Sequence, residues 1–190
     1  MIQTRAESLY GCMHKVVCDK EFQLRLKKQL KPLQMRVSRD RHIKYNPNNT
    51  LITRSYHGEH AILLITTYEG INLSLYYIPK QDLFFIANYR FSESLHHENT
   101  QVYGELLENR FLVHGVCLRN DYGERILEGL EVFDQILYTK YKPDLILEPI
   151  QIKIKEFYNI PDMIPKGFPV IYLQGTLGGN HIIQISRGTS

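Results

Sequence analysis

A short polar segment between two hydrophobic runs carries the side chains in this sequence that are best suited to chemistry. The stretch LITRSYHGEHAILLI, residues 51–65, contains Ser55, His57, Gly58, Glu59 and His60. Histidine and glutamate are common metal ligands. His57 and His60, however, lie three residues apart at a strand junction, and a regular strand would direct them to opposite faces. We therefore expect structural or surface histidines here, with no metal and no other cofactor.

Two other polar segments have simpler interpretations. His96, His97 and Glu98 lie together in the chain, but each position suits a core or surface residue better than a metal ligand. The segment GTLGGN, residues 175–180, offers backbone N–H groups to an anion. It lacks the Lys-Ser/Thr pair and the following helix of a P-loop, so a hairpin turn is predicted.

Length and composition indicate one folded core inside the cell. The chain has 190 residues, of which 43% are hydrophobic and 23% are charged. Its longest aliphatic run is far shorter than the roughly 20 residues that a membrane span needs. Arg5 and Glu7 lie where a signal peptide would be apolar, and Cys12, Cys18 and Cys117 fit no zinc spacing or disulfide framework. We expect an intracellular protein, cytoplasmic or nuclear, that does not contact a membrane.

Basic residues are concentrated near the N-terminus. Residues 1–50 contain eleven Lys/Arg and four Asp/Glu, whereas residues 51–190 contain 12 and 16. Such a patch could neutralise the phosphates of RNA, or it could be a solvated helix face or a surface that docks on an acidic protein. The predicted nucleic-acid-binding residues are Lys27, Lys28, Arg36, Arg39, Arg41, Lys153 and Lys155. The expected partners are RNA or a nucleotide, together with a protein partner or a further copy of the chain.

The spacing of apolar residues predicts helices in the N-terminal part of the chain and mostly strands in the rest. Apolar residues at helical spacing over residues 5–31 predict one or two helices that end before Pro32. Residues 1–46 are therefore interpreted as a basic helical arm, and residues 47–190 as an α+β domain. Strands are predicted at Thr50–Tyr56, His60–Thr67, Ile71–Ile78 and Leu83–Ala87, where β-branched and aromatic residues alternate with turn signals.

The second half of the domain adds two hairpins, a helix and a strand. QVYGELL and RFLVHGVCL, residues 101–107 and 110–118, are separated only by Glu108-Asn109, which predicts a tight hairpin. Residues 124–141 have apolar positions on one helical face. In EPIQIKIKEFY, isoleucines alternate with Gln151, Lys153 and Lys155, as in a half-buried strand with a polar face. FPVIYLQG and HIIQIS, at 168–175 and 181–186, form the last hairpin. Together these elements predict an α+β fold on a mostly antiparallel sheet with an inserted helix.

The order of these elements resembles that in the nucleotidyltransferase domain of mRNA capping guanylyltransferases and ATP-dependent ligases. The resemblance implies a nucleotidyltransferase or ATP-grasp-like fold of the ligase catalytic-domain type. Residues 51–158 carry the resemblance. The strand LITR leads into Ser55–His60 where that family has Lys-x-Asp-Gly-x-Arg, and Tyr103-Gly104-Glu105 matches its Asp-Gly-Glu. The segment Val113-His114-Gly115-Val116 matches its Phe-Asp strand, and LEGLEVFDQIL and IQIKIKEFY match the helix and strand that follow.

The departures from the family pattern concern the catalytic residues. Nucleotidyl transfer in this family needs a lysine amine that attacks the α-phosphate, and Ser55 stands in its place. His57 replaces the aspartate, His60 the arginine and Tyr103 the second aspartate, so Glu105 is the one carboxylate that remains. The resemblance thus implies a nucleotide-binding site at Ser55, His57, Gly58, His60 and Glu105 without catalysis, as in snurportin-like cap-binding domains.

Three hypotheses follow for the function. The first is an inactive nucleotidyltransferase-like module that binds a nucleotide, an mRNA cap or an RNA 5′ end within an RNA-processing complex. The second is a structural or assembly subunit, of a virus for example, that uses the fold as a protein-interaction scaffold. The third is an active guanylyltransferase or ligase whose nucleophile is a displaced lysine, such as Lys44, Lys153 or Lys155.

Overall fold

The computed structural model describes residues 2–30, 35–38, 50–117, 148–159, 170–176 and 179–185. At residues 35–38, 50–52, 117, 158–159, 170–176 and 179–185 the description is of the backbone alone. The predicted helix at 124–141, together with Arg39, Arg41 and Lys44, lies outside the described residues.

The described residues form thirteen strands and two helices. Those before the long central gap are β1 (Thr4–Leu9), β2 (Cys12–Val17), α1 (Lys20–Gln29), β3 (Met35–Ser38), β4 (Thr50–Arg54), β5 (Glu59–Tyr68), β6 (Ile71–Ile78), β7 (Leu83–Ala87), α2 (Glu93–His97), β8 (Thr100–Leu107) and β9 (Arg110–Cys117). Those after it are β10 (Gln151–Ile154), β11 (Phe157–Asn159), β12 (Val170–Thr176) and β13 (Gly179–Ile185).

The strands form two sheets. One has eight strands in the order β1-β2-β7-β6-β5-β8-β9-β10, and the other has five in the order β11-β4-β12-β13-β3. Neighbouring strands are antiparallel except β9 with β10 and β3 with β13, which are parallel. The fold is thus of the mixed α+β class and mostly antiparallel, as predicted. Within the described ranges, no helix is both long and apolar enough to cross a membrane.

Most of the predicted strands are confirmed. The predicted strands from Thr50 to Ala87 correspond to β4–β7, and the predicted turn at Glu108-Asn109 joins β8 to β9. Asn109 has a φ of 60°, a backbone conformation that asparagine tolerates well in tight hairpins. The final hairpin is confirmed by the pairing of β12 with β13. These strands and turns could be predicted because alternation of apolar and polar residues, and the residue types that favour turns, are visible in the sequence itself.

The helix predicted at the start of residues 5–31 is wrong. Residues 4–17 instead form a β-hairpin, in which Leu9 pairs with Cys12 across the turn Tyr10-Gly11. Both turn residues have a positive φ, 51° and 90°, as a two-residue type I′ hairpin requires. β2 also pairs with β7, so long-range pairing outweighs the apparent helical spacing.

The helix prediction is confirmed at α1. Asp19 caps the helix by accepting a hydrogen bond from the N–H of Phe22 at 3.2 Å. Phe22 and Leu26, one turn apart, are buried against the eight-stranded sheet at Leu64 and Phe84. A larger cluster around Leu63, Tyr76, Phe85 and Phe111 forms the other part of the core. The eight-stranded sheet is therefore a rigid, well-packed support for the residues described next.

Candidate functional site

A cluster of charged and polar groups, buried at Ser55, Glu105 and Lys155, joins the two sheets. Arg54 ends β4 of the smaller sheet, and Ser55 and Tyr56 lie in the connection from β4 to β5. Glu105 lies in β8 of the larger sheet, and Lys155 directly follows β10. We call these five residues the Glu105 cluster. Parallel pairing continues past β10 through a hydrogen bond from the N–H of Lys155 to the carbonyl of Val113 at 2.9 Å, which fixes the lysine backbone.

Glu105 is completely buried, and its carboxylate is surrounded by donors. Ser55 Oγ donates to Oε1 at 2.9 Å, and the backbone N–H of Tyr56 donates to Oε2 at 2.9 Å. Lys155 Nζ donates to the same Oε2 at 2.8 Å. A buried carboxylate is tolerated only with such partners, because desolvation of an unpaired charge is very costly. Glu105 thus ties the β4–β5 connection to the larger sheet.

Lys155 is equally buried, with a side chain that is 1% exposed. Its ammonium also donates to the backbone carbonyl of Arg54 at 3.0 Å. Burial lowers the pKa of Lys155, and the neighbouring Glu105 carboxylate opposes that shift. The alternation in EPIQIKIKEFY predicted a polar face shared by Lys153 and Lys155, but only Lys153 of the two is exposed. Lys155 contacts the end of β4 at Arg54 and the Tyr56 ring of the β4–β5 connection, which the strand pattern alone does not reveal.

Gly58 allows the β4–β5 connection to approach β8. A Cβ atom at Gly58 would lie 2.8 Å from the carbonyl oxygen of Leu106 and 2.9 Å from Cβ of Glu105. Any side chain here would push the connection away from the buried carboxylate. His57, just before it, has a φ of 56° in the left-handed region. Gly58 therefore serves a close approach of backbones, in addition to the predicted turn.

On the outer side of the Glu105 cluster, the guanidinium of Arg54 lies over the aromatic ring of Tyr56. Tyr56 is 40% exposed, and the Arg54 guanidinium lies 4.9 Å from its ring centroid. Lys155 Nζ lies 5.6 Å from the same centroid. Both distances fall within the range of cation–π attraction. The result is an oriented aromatic and guanidinium pair at the surface, directly above a buried ion pair.

Two histidines adjoin the Glu105 cluster. His60 pairs with Glu105 in the β5–β8 register, and its ring centroid lies 6.3 Å from that of His114. Burial lowers the pKa of His114 well below its usual value, and the nearby positive charges of Lys155 and His60 lower it further. Among the described residues, Nδ1 of His114 has no hydrogen-bond partner. His114 is therefore a neutral imidazole at neutral pH.

The structure brings the predicted nucleotide-binding residues together. Ser55, His57 and Gly58 lie in the β4–β5 connection, while His60 and Glu105 are paired across β5 and β8. Reasoning from the sequence missed Arg54 and Tyr56 as members of the site. The one available signal was an arginine two positions before a tyrosine, next to the polar segment.

Five of the predicted nucleic-acid-binding residues belong to the described part of the chain. Lys27 Nζ lies 2.7 Å from Oδ1 of Asp82, and Lys28 is exposed on α1. Arg36 belongs to β3, where the description is of the backbone. Lys153 is exposed on β10, whereas Lys155 is engaged inside the protein. Arg39 and Arg41 lie outside the described residues.

The other histidine segment is structural. His96 is buried at the end of α2, and its Nδ1 lies 2.9 Å from the carbonyl oxygen of Thr66 and 3.1 Å from that of Leu73. Within the described residues, no three His, Cys, Asp or Glu side chains lie close enough to share a metal ion.

The fold and the site together define an α+β protein with two mostly antiparallel sheets, joined through a buried glutamate–lysine pair. Comparison of the sequence with protein-family models and with curated proteins finds no match.

Proposed function

We propose that the chain is a catalytically inactive, nucleotidyltransferase-like module that binds a nucleotide, an mRNA cap or an RNA 5′ end without forming a covalent bond to it. The observation that carries the proposal is the exposed Tyr56 ring with the Arg54 guanidinium 4.9 Å from its centroid. A partly exposed aromatic ring and a neighbouring guanidinium are group types that suit a base and its phosphate. This binding role would operate within an RNA-processing complex.

The arrangement of Lys155 supports binding without catalysis. Covalent nucleotidyl transfer requires a lysine amine that is free to attack a phosphate. Lys155 is 1% exposed, and its amine donates to Glu105 and to the Arg54 carbonyl. Ser55, at the position that the family gives to its nucleophile, donates its hydroxyl hydrogen to Glu105. Both groups therefore stabilise the β4–β5 connection.

The exposed groups support a stacking mode of recognition. Stacking of a base on an aromatic side chain contributes about 1–3 kcal/mol and tolerates any base. The Arg54 guanidinium can pair with a phosphate through two parallel hydrogen bonds. The ligand class is therefore a nucleotide or a single-stranded RNA end, whose bases are free to stack.

Substitution of the tyrosine tests the proposal. We expect Tyr56→Ala to weaken binding of a capped RNA oligonucleotide by about tenfold or more, because the stacking energy is lost. Tyr56→Phe should retain most of the affinity. Fluorescence anisotropy with capped RNA, 5′-triphosphate RNA and GTP would measure it. Ile71→Ala is the matched control, since Ile71 is 63% exposed and follows the far end of β5.

Absence of binding by the unmodified chain to all three probes would contradict the proposal and favour the structural or assembly role. Binding that Tyr56→Ala leaves unchanged would place the ligand elsewhere.

A covalent activity at Lys155 is the second candidate. It is favoured by one observation, that Lys155 and Ser55 share the carboxylate of Glu105, so a lysine amine lies beside the family's nucleophile position. Incubation with labelled GTP or ATP and magnesium, followed by denaturing electrophoresis, separates the two candidates. Our proposal expects no retained label. Label that is retained by the unmodified chain and lost in Lys155→Arg would establish the covalent activity instead.

A further inference from the structure

Among the described strands, β1 is paired on one side of its backbone only. β1 lies at the end of the eight-stranded sheet, and no described strand pairs with its outer side. Thr4, Arg5, Ala6 and Ser8 are exposed. An edge strand of this kind is a template for pairing with another strand.

The hairpin register shows which backbone groups face outward. In a two-residue hairpin, the pair that flanks the turn is hydrogen-bonded, and hydrogen-bonded pairs then alternate along the ladder. Leu9 and Cys12 flank the turn, and the N–H of Cys18 donates to the carbonyl of Gln3 at 2.9 Å, which agrees with this alternation. The N–H and C=O groups of the residues between these pairs therefore point away from β2. These residues are Thr4, Ala6 and Ser8.

The charges of β1 are arranged symmetrically about Ala6. Arg5 and Glu7 flank it, and they project on the same face, where Arg5 Nε lies 3.4 Å from Glu7 Oε2. If two copies of β1 pair antiparallel with Ala6 opposite Ala6, then Arg5 of one copy lies opposite Glu7 of the other, twice. Thr4 then lies opposite Ser8. The strand is thus complementary to itself in both charge and polarity.

We propose that two copies of this chain associate through β1, antiparallel and centred on Ala6, to form a symmetric dimer with one continuous sheet. Ala6 with Ala6, and Thr4 with Ser8, are the hydrogen-bonded pairs of the new ladder, because these residues carry the outward-facing groups. Arg5 with Glu7 are the other pairs, whose side chains lie closer together. A two-fold axis places the same patch on both copies.

The pairing also removes an exposed edge. Open sheet edges risk uncontrolled aggregation, and a symmetric contact closes both of them at once. The dimer is independent of the proposed ligand binding, since β1 contributes no residue to the Glu105 cluster.

Removal of one backbone donor tests the pairing. Proline lacks the N–H group but is tolerated on an edge strand where that group faces away from the sheet. Ala6→Pro should therefore retain the fold by circular dichroism and abolish the dimer in sedimentation velocity. Ala6→Val is the matched control, because it keeps the N–H and favours strands. We expect it to dimerise as the unmodified chain does.

Charge reversal provides a second test that does not depend on proline. Arg5→Glu and Glu7→Arg each place like charges opposite one another in the dimer, and each should raise the dissociation constant by about tenfold. The double variant Arg5→Glu/Glu7→Arg restores opposite charges and should restore the dimer. A monomer throughout a concentration series that reaches about 1 mM would overturn the proposal. A dimer that persists in a well-folded Ala6→Pro variant would also overturn the proposal.

Discussion

At the scale of the residue, the environment of an ion pair matters more than its length. Lys155 Nζ lies 2.8 Å from Glu105 Oε2, and Lys27 Nζ lies 2.7 Å from Asp82 Oδ1. The first pair is buried and the second is largely solvated. An exposed pair contributes at most about 1 kcal/mol, whereas removal of one member of a buried pair leaves an uncompensated charge.

A double-mutant cycle measures this difference. Glu105→Gln and Lys155→Met should each lower the free energy of unfolding by about 3 kcal/mol or more, because each strands the other charge in the interior. The double variant should cost clearly less than the sum of the two, since it removes both charges. Urea denaturation gives the three values. Lys27→Met, the surface control, should change the free energy of unfolding by less than about 1 kcal/mol.

Additive losses at Glu105 and Lys155 would mean that the two groups do not form the pair described. A large loss for Lys27→Met would mean that α1 depends on Asp82 more than an exposed pair allows.

At the scale of the element, an irregularity in the β8–β9 hairpin shapes the site. Gly104 pairs with Val113, and Tyr103 pairs with Gly115, so His114 is the extra residue of a bulge. Bulges redirect side chains near functional sites. Here the bulged residue is His114, which is buried and whose ring centroid lies 6.3 Å from that of His60. The close approach of the two strands at this bulge requires glycine at position 104, because a Cβ on Gly104 would overlap the carbonyl oxygen of Leu112.

Alanine substitutions at two glycines of the same hairpin distinguish the close backbone approach at Gly104 from the general effect of alanine on strand stability. Gly104→Ala should lower the free energy of unfolding by about 2–3 kcal/mol, because the added methyl meets backbone that has no rotamer with which to yield. Gly115→Ala places its Cβ 3.5 Å from a ring carbon of Tyr103, an ordinary contact. We expect it to be neutral to within about 1 kcal/mol. Thermal and urea unfolding would test both, and equal effects would contradict the close approach at Gly104.

At the scale of the whole molecule, stability should depend on pH through buried histidines. Burial lowers the pKa of His114 well below the usual histidine value of 6.5, and burial also lowers the pKa of His14, although a hydrogen bond to the Ile86 backbone opposes this shift. The nearby Lys155 and His60 lower the pKa of His114 further. A lowered pKa means that the unfolded chain binds more protons below pH 6.5 than the folded chain does.

The free energy of unfolding should therefore fall as the pH falls below about 6.5, by up to about 1.4 kcal/mol per pH unit for each such histidine. Urea denaturation at about pH 7.5 and about pH 5.5 measures the loss. His114→Gln should reduce the slope, because it removes the buried imidazole. A flat profile in the unmodified chain would argue that His114 is solvated in the native state.

Much of the fold could be predicted from the sequence, because it depends on neighbours in the chain. The strands from Thr50 to Cys117 and their turns follow from alternation and from residues that accept a positive φ, such as Asn109. The N-terminal hairpin could not be predicted in this way. Its apolar spacing also fits a helix, and pairing with β7 decides the outcome.

The candidate site, like the fold, could be predicted only where it depends on residues that are neighbours in the chain. The sequence by itself determined that Ser55, His57 and Gly58 lie together in a polar connection, with His60 near the start of the strand that follows, since this is a local property. Only the tertiary structure decided that Ser55 and Lys155 each meet Glu105 across fifty residues of sequence, and that Lys155 is buried. Periodicity describes one strand at a time, whereas burial of these charges depends on contacts between Glu105, Lys155 and the β4–β5 connection, which are far apart in the chain.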